Sequence, residues 1–321
     1  MTARDGTVVC TLCAHACRID EGTAGLCMVR TNLNGLPRLP YYAEVSALNV
    51  DPIEKKPLYH LHPGARLLSL GFLGCNFRCP FCQNYSISQS TRAATRTVLP
   101  AEVPALVRDS DALGVAYTYN EPTIHFEYVM EAADAVRDAG FGNVLVTNGH
   151  LTRRPARELL AKMDGANVDL KSFSADFYRK ELRGSLEAVK DFIAIAAELT
   201  HVEVTTLLIP GRNDSDDELK AIAEFLASVD PSIPFHLSAY YPTYRYEVHA
   251  TPPATVERAR QIAADRLKHV YLGNTPGDAD TRCACGAVLV RRRGYSVDLA
   301  GLAGERCAGC GAPAPITWFK G

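Results

Sequence analysis

Residues 65–84 read ARLLSLGFLGCNFRCPFCQN, an apolar run that ends in Cys75, Cys79 and Cys82 at the spacing C-x3-C-x2-C. A short apolar run bounded by turn residues is the pattern of a strand buried on both faces, so the cysteines fall in the loop after a strand. Three thiolates so close together can hold three irons of a [4Fe-4S] cubane and leave the fourth iron open, whereas four thiolates close a site. A three-ligand zinc site or a plain cluster of buried thiols is the bland alternative. The sequence on either side argues against it.

From that strand to residue 275, β-type runs and helical patterns alternate. GVAYTYNE, GNVLVTNG, ANVDLKSF, HVEVTTLLIP, PFHLSAYY and KHVYLGN follow the first run, giving seven expected strands of a parallel sheet. Helices are expected over 100–112, 124–139, 153–162, 186–199, 215–228 and 255–267, with Asp214 or Ser215 capping the fifth. This rhythm predicts an α/β protein, an open or partial (β/α)6 TIM-like barrel over 65–275, whose working residues lie where strands end. The unusual polar residues do fall there: Cys75, Glu121, Asn148, Asp169 with Lys171, and the turn Pro210–Asp214. By the two-residue period of a strand, Asp169 and Lys171 share one face, and His236, Ser238 and Tyr240 share another. The second face is expected to line the interior, with His236 either catalytic or a satisfied core residue.

Residues 1–64 and 276–321 break the rhythm and are read as small Cys-rich appendages. The first carries Cys10, Cys13, Cys17 and Cys27, and the second Cys283, Cys285, Cys307 and Cys310. At the C-terminus the two knuckles resemble a zinc ribbon or rubredoxin-type site, although Cys283-x-Cys285 is one residue short of the usual C-x2-C; zinc is favoured over iron. Four thiolates, with His15 in a supporting role, argue for a metal at the N-terminus, and spacing leaves it open between zinc and an auxiliary iron–sulfur cluster; a redox-active thiol pair is the alternative. Arg291, Arg292 and Arg293 are expected on a solvated hairpin turn, and Glu54, Lys55 and Lys56 form either a solvated charge run or a cofactor contact. Eleven cysteines in an odd, locally grouped set do not suggest a disulfide framework. With a net charge of −2, no apolar span and no leader pattern, the chain is expected to be cytoplasmic, without a membrane or nucleic-acid partner.

GCNFRCPFCQN, with Phe81 before its last cysteine, resembles the radical S-adenosylmethionine superfamily. CTLCAHACRI, GTAGLCMVR, PIEKKPLYHLHPG, AYTYNEPTI, VTNGH, VDLKSF, LLIPGRND, HLSAYYPTY and YLGNTPG narrow the likeness to the pyruvate formate-lyase activating enzyme group. Within that group they are similar to the radical enzyme of the AmmeMemoRadiSam system. The resemblance implies a [4Fe-4S] cluster on Cys75, Cys79 and Cys82, with S-adenosylmethionine on its open iron. It places Glu121, beside Asn120, at the amino group and Asp169 with Lys171 near the ribose and carboxylate. Thr147 and Asn148 fall at the third strand end, where Val146 replaces an acid. Tyr119 and Asn120 stand where glycines are usual. The implied reaction is reductive cleavage to a 5′-deoxyadenosyl radical that takes hydrogen from a protein or small-molecule substrate. Implied partners are a donor such as flavodoxin or ferredoxin and Memo- or AMMECR-like proteins. A non-catalytic metal-binding module and an electron-transfer protein are the competing classes; the first calls for a basic surface, and Glu121, Asp169 and Lys171 argue against the second.

Overall fold

The structure, a computed structural model, describes residues 2–4 and 6–320. Its centre is one sheet of eight strands among the described residues. In chain order these are β1 (Ala47–Pro52), β2 (Arg66–Gly71), β3 (Gly114–Tyr117), β4 (Gly142–Thr147), β5 (Gly165–Asp169), β6 (His201–Leu208), β7 (Phe235–Ala239) and β8 (Val270–Gly273). Strands β2 to β8 are parallel neighbours in sequence order, as the alternation predicts. The eighth strand was not expected: β1 lies antiparallel beside β2, with Leu48 opposite Leu70 and Val50 opposite Leu68. Its sequence, ALNVDP, mixes polar and apolar residues because only an edge is required there. Residues 47–52, which the sequence reading set in the N-terminal appendage, form the edge strand of this sheet.

Helices cover the outer face: α1 (Val103–Asp109), α2 (Phe126–Asp138), α3 (Arg153–Leu160), α4 (Leu186–Leu199), α5 (Asp216–Val229) and α6 (Pro253–Ala264). Their apolar stripes and the outward strand residues build the main core, which includes Val115, Tyr117, Leu145, Val168, Val189, Ile193 and Ile222. Ser215 rather than Asp214 caps α5, accepting from the Glu218 amide at 3.3 Å. A second core, formed by Ile53, Leu58, Leu61, Leu67, Ala116 and Val144, plugs the floor of the barrel.

The C-terminal module consists of β9 (Thr281–Arg282), β10 (Val288–Arg293) and β11 (Ser296–Asp298), antiparallel and in that order. Arg292 lies not on a solvated turn but buried between this module and the barrel. It donates to the Tyr59 carbonyl at 2.5 Å and to Thr281 Oγ1 at 2.8 Å, with its guanidinium 4.4 Å from the Tyr59 ring centroid. The outward alternation of β10 leaves Arg291 and Arg293 exposed and turns Arg292 inward. Glu54 and Lys56 are buried as well, so only Lys55 of that run behaves as a solvated charge. No helix among the described residues is long and apolar enough to cross a membrane.

Candidate active site

At the C-terminal end of the parallel strands is a cavity of about 230 Å³. Cys75, Cys79 and Cys82 form one wall, and Asn148, Asp169 and Lys171 help to form the others. The cysteine loop is held at several points. Gly74 adopts φ +78°, and a Cβ there would sit 2.4 Å from the Cys27 carbonyl oxygen, so only glycine fits. Asn120 ties β2 to this loop: its Oδ1 accepts from the Phe72 amide at 3.1 Å and its Nδ2 donates to the Gly74 carbonyl at 2.6 Å. Tyr119 takes φ +72°, the left-handed conformation that a glycine would adopt without strain. Its hydroxyl donates to Asp51 at 2.5 Å, and Lys56 pairs with the same carboxylate at 2.7 Å. That anchor comes from β1, the strand the sequence reading missed.

The Cys75 sulfur accepts from the Phe77 amide at 3.3 Å and from Asn148 Nδ2 at 3.8 Å. Such donors suit a sulfur carrying charge as a metal ligand. Burial pushes the Cys79 thiol up to about 12, against the field of Lys171, so the metal-free Cys79 is protonated and binding a cluster there releases its proton. Across the cavity Lys171 Nζ pairs with Asp169 Oδ2 at 3.0 Å. Burial opposes the Lys171 charge, but the pairing with Asp169 outweighs it and holds the ammonium protonated. Three cysteines and a paired cation thus face one space, with no fourth cysteine lining it. This donor set fits a cluster with one open iron and an amino-acid-bearing ligand beside it.

Other expected residues lie elsewhere. Glu121 is buried behind the cavity wall, with Oε1 accepting from Thr123 Oγ1 at 2.6 Å and Thr147 Oγ1 at 2.7 Å, and Oε2 from the Asn148 amide at 2.7 Å. It caps the turn Pro122–His125 and fixes the end of β4; neither it nor Thr147 lines the cavity. His236 lies a layer below, donating from Nε2 to the buried Glu203 at 2.6 Å. Glu203 also accepts from His201 at 2.9 Å and from the His60 amide at 2.7 Å, a cluster the sequence reading did not assemble because its members are far apart in the chain. His236 and Ser238 do line interior space, but Tyr240 does not. Strand β7 ends at Ala239, so alternation stops, and the Tyr240 hydroxyl donates instead to the Tyr246 carbonyl at 2.9 Å. A second cavity of about 820 Å³, lined in part by His236, Tyr59 and Arg292, meets the first at Ser238 and Asn274. Thr205 and Asn274 on the first cavity were also missed, being common polar residues without distinctive spacing.

The Radical SAM superfamily pattern matches residues 70–226, the segment that runs from the cysteine loop to α5. An uncharacterized protein of Methanocaldococcus jannaschii, MJ0808, is 38% identical over 318 residues, spanning 96% of this chain and 95% of its own. The chain belongs to the radical SAM superfamily. Among its radical SAM relatives, the putative glycyl-radical enzyme activating enzyme MJ1632 of the same organism is 26% identical, over 61% of this chain and 76% of its own. The pyruvate formate-lyase-activating enzyme of Staphylococcus aureus is 24% identical, over 56% of this chain and 76% of its own. Streptococcus suis SuiB bound to S-adenosylmethionine shares the fold at a TM-score of 0.52 and 15% identity, over 66% of this chain and 52% of that one.

The C-terminal cysteines converge. The sulfurs of Cys283, Cys285, Cys307 and Cys310 all lie within 4.8 Å of one another. The shortened first knuckle still closes; a β-bulge at Thr281 and Arg282 lies beside it and shifts the register of β9 on β10.

Proposed function

We propose that this radical SAM chain uses a [4Fe-4S] cluster on Cys75, Cys79 and Cys82 to cleave S-adenosylmethionine reductively, the resulting 5′-deoxyadenosyl radical taking a hydrogen atom from a substrate. The observation that carries this reading is the single cavity shared by the three sulfurs and the Asp169–Lys171 pair. Lys171 offers a fixed cation to the cosubstrate carboxylate, and Asp169 an acceptor to its ribose. Asn148 donates to the Cys75 sulfur, and Glu121 holds Asn148 in place from behind. Phe81 adds an apolar wall that keeps water from the reacting carbon. The protein thereby supplies orientation and exclusion of water, and the bound groups supply the radical chemistry.

Substrate reaches this site through the second cavity, whose volume falls in the range of ordinary ligand sites. The names of the activating-enzyme relatives favour a protein segment of the glycyl-radical type over a small molecule. Memo- or AMMECR-like partners and a flavodoxin- or ferredoxin-type donor belong to the same reading. The C-terminal cysteines hold zinc, whose bond of about 2.3 Å to sulfur suits their spacing.

The test is anaerobic reconstitution with S-adenosylmethionine and a reductant, followed by mass spectrometry of 5′-deoxyadenosine. Cys75→Ala is expected to abolish the product. Lys171→Met is expected to keep the cluster absorbance but weaken cosubstrate binding on the order of tenfold, the worth of one charge-assisted contact. Undiminished product from Cys75→Ala rejects the assignment. Deuterium carried from a candidate protein or metabolite into the product identifies the hydrogen donor.

A further inference from the structure

The N-terminal cysteines take no part in the reading above. Cys10 and Cys17 face each other across a hairpin, the Cys10 amide donating to the Cys17 carbonyl at 2.9 Å. Cys13 sits in its loop, and Cys27 arrives from the segment that packs against Gly74. All four line one enclosed cavity, together with His15 and Asn76, and most of the remaining wall is apolar.

The two terminal cysteine groups differ in geometry. At the C-terminus Cys283 and Cys310 sulfurs are 3.6 Å apart and Cys285 and Cys307 sulfurs 3.8 Å, the crowding that ligands on a single ion require. The N-terminal sulfurs are not gathered in this way: among the described residues, only the four C-terminal cysteines bring three or more such ligand atoms within 4.8 Å of one another. Thiolates at about 2.3 Å from one zinc lie under about 4 Å from one another, so the N-terminal set is not arranged for a single ion. A multi-iron core, which carries its cysteines on separate irons, takes the wider spacing. One donor points the same way: the buried Asn76 side-chain Nδ2 has no hydrogen-bond partner among the described residues, and Asn76 lines this cavity. An amide N–H facing cluster sulfur is satisfied in that place.

The cavity shares a wall with the catalytic site. Asn76 lines the N-terminal cavity, and its chain neighbour Cys75 lines the central one. His15 Nε2 donates to the Asn76 carbonyl at 2.7 Å, and its ring lies 4.6 Å from that of His150, which in turn lies 5.1 Å from Phe77 of the cysteine loop.

We propose that Cys10, Cys13, Cys17 and Cys27 hold a second iron–sulfur cluster, packed against the loop of the catalytic cluster and feeding it electrons. Four thiolates leave no iron open, so this cluster carries charge rather than substrate. One electron from a low-potential protein donor reduces it, and the same electron passes on to the oxidised central cluster. No bond forms or breaks in that transfer. The feeding role rests on the assignment of the central cysteines; the presence of the second cluster does not.

The test uses the anaerobically reconstituted full chain, analysed for iron, inorganic sulfide and zinc, and by electron paramagnetic resonance after reduction. The triple variant Cys75→Ala, Cys79→Ala, Cys82→Ala is expected to keep about half of the parent iron and sulfide, the share of one of two similar clusters. A variant with serine at Cys10, Cys13, Cys17 and Cys27 is expected to lose the other half, and the spin–spin broadening of the reduced parent is expected to vanish in both. If the serine variant does not fold, the triple alanine variant decides alone, since it leaves the N-terminal region intact. Complete loss of sulfide from the triple alanine variant, with a second zinc in its place, overturns the proposal. Two clusters without magnetic interaction overturn the feeding role. Equal iron in the parent and the triple alanine variant would sink the central assignment instead.

Discussion

Burial lowers His125 to about 4 and His60 and His150 to about 3, so each is neutral in the folded chain. An unfolded histidine titrates near 6.5, and below that pH the unfolded chain binds protons that the folded chain refuses. Stability therefore rises with pH and is lost progressively as acid is added, from about pH 6.5 down toward the folded values of about 3 to 4. Glu203 acts in the same direction at lower pH. Burial opposes its charge, but hydrogen bonds from His201 and His236 prevail and hold its carboxyl well below the usual range. His125 donates to the Leu73 carbonyl at 2.9 Å, a bond that glutamine can replace. His125→Gln is expected to reduce the slope of unfolding free energy against pH by about 1.4 kcal/mol per unit between roughly pH 5 and 6, measured by urea unfolding. An unchanged slope would show that His125 takes up its proton in the folded chain.

At the scale of the element, the cysteine loop is positioned by what flanks it. Strand β2 delivers it, Asn120 ties it back to that strand, and the Gly74 amide donates to the Ile87 carbonyl at 2.8 Å. Gly74 is also where the N-terminal loop and the catalytic loop touch. Gly74→Ala carries the cost of a left-handed alanine, about 1–2 kcal/mol, and adds a clash with backbone that has no flexible end to move. Gly211, at φ +69° with nothing within 4 Å of a Cβ, isolates the first cost. Gly74→Ala is thus expected to unfold at lower temperature than Gly211→Ala and to take up far less iron on reconstitution. Equal melting temperatures and equal iron would show that the close approach to Cys27 is not needed.

Across the whole molecule, the C-terminal module lies along one side of the second cavity, where Arg292 and Arg293 face Glu54, Tyr59 and the segment after β8. Arg292 is one tie between the two bodies, beside the backbone bonds of Thr317 with His60 and His62. Its guanidinium lies 3.6 Å from the buried Glu54 carboxylate, so truncation leaves that acid with the Gly64 amide but no counter-charge in a place water does not reach. Breaking one side of a buried pair costs about 3–5 kcal/mol. Arg292→Ala is expected to lower stability by about that amount and to open the segment 276–280 to proteases, read by chemical unfolding and limited proteolysis. A variant as resistant as the parent would show that contacts other than Arg292, such as the Thr317 bonds to His60 and His62, hold the module in place.

The repeat of apolar runs and amphipathic helices was enough to fix the parallel order of β2 to β8, because β2 to β7 are largely buried on both faces and each helix shows its stripe within its own residues. The cysteine spacings were legible for the same reason, since ligands that meet in one loop are close in sequence. Strand β1 escaped that reading because an edge strand needs neither full burial nor regular alternation. Glu121 shows the other limit: in sequence the same acid reads either as a cosubstrate contact or as the cap of the turn after Pro122, and the fold shows the cap, with Thr123, Thr147 and Asn148 donating to its oxygens. Tertiary structure alone buried Arg292, gathered the histidines on Glu203 and placed two cysteine groups on either side of Asn76. Those outcomes depend on residues far apart in the chain meeting in space, which local pattern does not encode.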